Sequence, residues 1–95
     1  IMAQTTILAS AQTAATSSDI TLLQGETRTV GIFSSAAIAE YIAFPIMIDT
    51  PGDDRQIGTL TNLVPAVVIS GPGTFRVKRP DISAGAVNAG VYTEG

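Results

Sequence analysis

The carboxylates Asp49, Asp53 and Asp54 crowd into the segment DTPGDDR at 49–55. Alternate carboxylates on a tight turn can bind calcium, yet this spacing matches no EF-hand loop. A carboxylate pair also has the chemistry of a glycosidase acid and base, but no aromatic sugar platform accompanies this one in the sequence. Asp and Gly are ordinary turn residues, and Arg55 stands beside them as a local ion-pair partner. The expectation is a turn without a metal. GPG at 71–73 and AGAVNAG at 84–90 invite comparison with phosphate-binding glycine loops. Neither has the P-loop pattern, and neither is a G-x-G-x-x-G leading into a helix. Serines are plentiful, but none sits in G-x-S-x-G, and a chain without histidine lacks the usual base for a serine nucleophile. Without cysteine it has neither disulfides nor a thiolate. No catalytic, cofactor-binding or metal-binding residue is assigned, and an enzyme is not expected.

The densest charge lies in VVISGPGTFRVKRPD at 67–81, where Arg76, Lys78 and Arg79 supply three of the five basic residues. On a strand, Phe75, Val77 and Arg79 share one face, while Thr74, Arg76 and Lys78 share the other. Phe75 and Val77 then go to the core. Arg79 stands at the strand end before Pro80, where either face is reachable. One reading is a solvated face that guards a sheet edge against aggregation. The other is a patch that docks on an acidic protein surface, for which Arg suits bidentate carboxylate pairing. Nucleic acid is disfavoured by the net charge of −3 and by the lack of an interleaved aromatic platform.

Ninety-five residues make one domain, small enough to gain from docking or oligomerisation. Charged residues are 14% of the chain, against roughly 25% in a typical soluble domain. Much of the surface must therefore be Thr, Ser, Ala and Gly. No apolar run is long enough to span a bilayer, and the start lacks the basic and apolar regions of a secretory signal. Ile1 before Met2 fits either a non-standard start codon or a trimmed longer product.

Residues 2–19 are small and polar, with no charge before Asp19. They read as an extended N-terminal arm, containing at most a short strand, or as a loosely ordered terminus. Ile7 and Leu8 are its apolar anchors and the candidates for gripping a neighbour. From Ile20 onward, strand and turn signals alternate to the end of the chain. Ile42, Phe44, Ile46 and Ile48 repeat at period 2, and Pro45 on the opposite face marks an edge strand or a bulge. Residues 34–41 could add one helical turn. Seven or eight short antiparallel strands over 20–95 fit an all-β class, a compact β-sandwich with immunoglobulin-like or Greek-key connections. A small barrel is the alternative.

The phrases LLQGETRTVGIF, FPIMIDTPGDDRQIGTLT and VVISGPGTFRVKRPD, with the closing GVYTEG, resemble those of small tailed-phage virion proteins, the capsid decoration or cement proteins. The resemblance covers about 20–95 and lies in turn-and-strand idioms. It implies a β-sandwich bound in many copies to the outer capsid surface. There it would bridge subunits of the major capsid protein, itself as a homo-oligomer, with no cofactor, nucleic acid or membrane partner. Arg76, Lys78 and Arg79 would be the docking patch and the arm a second contact. A tail or head-fibre base component is one alternative. A host-facing glycan-binding domain is another, and it calls for an exposed aromatic platform that a chain with no Trp and two Tyr does not announce.

Overall fold

A computed structural model describes residues 4–38, 42–83 and 87–94. The described chain is all strand, turn and loop, and its nine strands form two antiparallel sheets. They are β1 (Gln4–Ala11), β2 (Ala15–Thr16), β3 (Ile20–Leu22), β4 (Thr27–Ser34), β5 (Phe44–Ile48), β6 (Arg55–Leu60), β7 (Ala66–Ser70), β8 (Gly73–Arg79) and β9 (Ala89–Glu94). The first sheet runs β1-β9-β4-β7. The second runs β2-β8-β5-β6, with β3 following β2 along the same side of β8.

The pairings nest. β1 pairs with β9, β2 and β3 with β8, β4 with β7, and β5 with β6. A long antiparallel hairpin rolled onto itself gives this order, which is the jelly roll, a sandwich of two Greek keys. Of the connections open from the sequence, the Greek-key scheme is the one realised. Ile20, Leu22, Phe44, Ile46, Leu60, Phe75 and Val77 from the second sheet meet Val30, Ile32, Ile69, Ala89 and Val91 from the first in one buried core.

Strand β5 follows its periodicity, with Phe44 and Ile46 fully buried and Ile42 and Ile48 packed at the margin of the core. Pro45 sits in an interior strand, which a missing N–H would ordinarily disrupt. Two features accommodate it. The ladder to β8 begins only at Ile46, and the ladder to β6 carries a bulge just beyond. The helical turn expected at 34–41 does not form over Ser34–Ile38, and 39–41, with Tyr41, lie outside the described residues.

The arm is extended as expected, but its own sheets hold it. β1 pairs with β9 along its length. Thr6 faces Tyr92 and Leu8 faces Val91, which makes Ile7 an extra residue in the strand. That bulge breaks the in-out alternation and lets neighbouring Ile7 and Leu8 both pack against the core.

Between β2 and β3 the chain would lose contact with β8 were it not for Ser17, a buried residue only 6% exposed. Its N–H donates to the Val77 carbonyl at 2.8 Å, and its Oγ accepts from the Val77 N–H at 2.9 Å. A side chain thus stands in for a missing ladder acceptor. Ser17→Ala is expected to leave the Val77 N–H unpaired in the interior and destabilise by about 1–3 kcal/mol. Urea unfolding reads this, and a change below about 0.5 kcal/mol would show that the bond contributes nothing.

Candidate functional site

Strand β8 fulfils the alternation read from its sequence. Phe75, Val77 and Arg79 point inward and are buried, Thr74 and Arg76 are half-buried outside, and Lys78 is exposed. The consequences for charge differ from those expected of a docking patch. Arg79 is 4% exposed. Its Nε donates to the Thr13 carbonyl at 2.6 Å, and its Nη1 donates to the carbonyls of Ala9 and Ala89 at 2.8 and 2.9 Å. The Ala9 carbonyl is free because β1 bulges again between Leu8 and Ala11. Arg79 reaches across the sandwich from the second sheet and ties the arm to the start of β9. It is a structural clamp.

Arg76 is also engaged within the chain. Its Nε lies 3.0 Å from Asp19 and its Nη1 lies 2.6 Å from Asp54. These carboxylates, Asp19 first and then Asp54, hold the guanidinium pKa above its ordinary value. One cation thus serves two carboxylates. Asp54 thus pairs with Arg76 on β8, not with its neighbour Arg55. Arg76→Gln is expected to lower the urea midpoint at low ionic strength and to have little effect at high salt, because half-exposed ion pairs are screened. An equal loss at both would contradict an ionic role. Lys78 is the one member of the expected patch left exposed and outside any ion pair among the described residues.

The carboxylate turn behaves as a turn. The Thr50 hydroxyl donates to the Asp53 carbonyl, and the Asp49 N–H donates to the Thr74 carbonyl at 2.9 Å. Among the described residues, no three carboxylates gather to hold a metal ion.

A surface feature with no internal partner among the described residues lies where the roll opens between β6 and β7. Sheets have edges that must be protected from adventitious pairing, and this fold has four. β1 carries two bulges, and the β2–β3 side is broken in two and stitched by Ser17. β6 has Arg55 at its start and a bulge in which Ile57 is the extra residue. β7 has none of these devices. Its sequence is AVVIS, uncharged and rich in β-branched residues, and it pairs on one side only, with β4.

Apolar side chains stand exposed along this opening. Ile57 is 50% exposed, Val68 66% and Leu63, in the connecting loop, 70%, with Val64 beside it. A cleft of about 280 Å³ runs between the two edges, lined by Ile57, Val68 and Ser70 above a floor of Ile46, Ile69 and Phe75. No family model, curated protein or solved structure matches this chain. Its own geometry therefore carries the functional reading.

The sequence reading placed docking on Arg76, Lys78, Arg79, Ile7 and Leu8. Of these, Arg79 is buried, Arg76 is paired, and Ile7 and Leu8 pack against the core. The exposed apolar residues Ile57, Leu63, Val64 and Val68 went unassigned. The run AVVIS did signal a strand without charge, but only the sheet order makes it an edge. Nothing in the sequence around Ile57 marks the bulge that makes it the extra residue of β6.

Proposed function

We propose that the protein is a non-enzymatic structural component of a phage virion that binds the outer surface of the capsid and bridges subunits of its major protein. The observation that carries the docking is the bare edge of β7 beside the apolar cleft. An unpaired, uncharged edge accepts an extended segment of a partner by main-chain hydrogen bonding, and adjacent pockets take alternate side chains. The occupant proposed is an extended loop or arm of the major capsid protein lying between β6 and β7. A surface poor in charge supports this, because burying it desolvates few ions.

The resemblance of the turn phrases to decoration proteins supports the capsid as the assembly. Jelly rolls serve in viral capsids, lectins and cupins alike, so the fold does not choose among these. Binding only to the assembled shell stabilises it by mass action, and a homo-oligomer on a symmetric shell adds avidity. A tail or head-fibre base protein would use the same edge at another place on the particle.

Hydrogen exchange tests the contact. Adding capsids is expected to slow exchange of amides in Ala66–Ser70 and Arg55–Leu60. Protection confined to β8, or none, would count against this edge.

A further inference from the structure

The outer face of the first sheet carries a second surface, made by two glycines and two aromatic rings. Gly31 on β4 stands opposite Tyr92 on β9, and Phe33 on β4 stands opposite Gly90 on β9. A side chain at Gly31 would meet the Tyr92 ring at 2.5 Å, and one at Gly90 would meet the Phe33 ring at 2.5 Å. Each ring therefore leans across the seam into the space its glycine leaves. The ring centroids lie 6.4 Å apart. Both side chains remain accessible, and they border a shallow depression of about 450 Å³ that Gln4 and Thr6 of β1 complete. That volume falls within the roughly 300–1,000 Å³ of small-molecule sites.

The polar groups around the rings are a phenol, an amide and a hydroxyl. The Tyr92 hydroxyl, the Gln4 amide and the Thr6 hydroxyl make no hydrogen bond to any described residue, and each can both donate and accept. All five cations lie elsewhere. Arg28 alternates to the opposite side of β4 from Gly31 and Phe33, and the other four belong to β6 and β8. The ionisable group nearest in sequence is Glu94, two residues beyond Tyr92 on the same face of β9. An anionic ligand would meet no counter-charge there and a carboxylate against it.

We infer that this face binds a neutral saccharide. The faces of sugar rings expose C–H groups that settle on the negative faces of aromatic rings, and their hydroxyls need groups that both donate and accept. The two rings are inclined at 47° to one another and offer a sugar two aromatic faces. The inference does not rest on the capsid reading, since it concerns a different ligand and the seam between β4 and β9, not the opening between β6 and β7.

The test is an array of neutral and sialylated oligosaccharides probed with the full chain. An amide NMR titration with the neutral oligosaccharide that binds follows it. Binding of neutral glycans is expected, with shifts centred on Thr6, Gly31, Gly90 and Tyr92. Tyr92→Phe, which keeps the ring and removes the hydroxyl, is expected to weaken binding about tenfold. Phe33→Ser is expected to weaken it further, and Lys78→Glu to leave it unchanged. No neutral glycan bound, binding of sialylated forms alone, or shifts centred away from the seam would each overturn the assignment. So would Phe33→Ser leaving glycan affinity intact while weakening capsid association, which would make this face a protein contact.

Discussion

Replacing Arg79 with Met is expected to destabilise the protein by about 3 kcal/mol, the largest effect of any single cation in the chain. Its guanidinium holds three carbonyls, those of Ala9, Thr13 and Ala89, in a buried position. Hydrogen bonds from a charged donor are worth about 1.5–3 kcal/mol each, and carbonyls left unpaired in the interior cost about 1–3 kcal/mol apiece. Relief from burying a charge offsets part of that sum, hence the smaller net figure. For a domain of this size the loss corresponds to a fall in Tm of roughly 15 °C. Arg79→Lys keeps the charge but has no planar fork, so it is expected to recover only part of the stability. Hydrogen exchange should localise the damage to β1 and the start of β9. A loss under about 1 kcal/mol for Arg79→Met would mean that the clamp is incidental.

The double substitution Ile57→Lys and Val68→Lys is expected to act in the opposite manner, sparing the fold and removing the docking. Both side chains are at least half exposed, and surface substitutions of this kind usually change stability by less than about 0.5 kcal/mol each. At an interface, central apolar anchors are commonly worth 2 kcal/mol or more. Two buried ammonium groups in the cleft are therefore expected to weaken association with the capsid at least about a hundredfold. Lysine is also a natural guard of exposed edges, so the variant should be no more prone to aggregate than the parent chain. A double variant that binds as tightly as the parent would remove β6 and β7 from the contact.

Local pattern carried much of this fold. The period-2 runs through Phe44 and Ile46 and through Phe75 and Val77 were legible because each strand buries one face, and burial fixes the alternation. The inward direction of Arg79 was contained in the same alternation. What it would find there was not, since its acceptors come from a bulge in β1, from the loop after β1 and from the start of β9, far apart in sequence. The arm read as loose because it has few apolar residues. Its stability comes from pairing with β9, from the bonds of its own Ser17 to Val77 and from Arg79, and these partners are distant in sequence.

The aromatic pair was hidden for a related reason. Phe33 and Tyr92 became a surface only when the β4–β9 register placed each opposite a glycine. Composition counted two tyrosines and gave no sign of a platform. Sheet order likewise decides which strand is an edge, and AVVIS reads the same in the middle of a sheet as at its margin.

Co-sedimentation with mature capsids that lack the protein tests the central claim most directly. The parent chain, the Ile57→Lys/Val68→Lys variant and Lys78→Glu would each be titrated to saturation. The expected result is saturation of the parent at a simple symmetric ratio to the major capsid protein, unchanged by Lys78→Glu and lost in the double variant. Failure of the parent chain to sediment with capsids would contradict a place on the capsid. Equal binding by the double variant would contradict docking through the open edge.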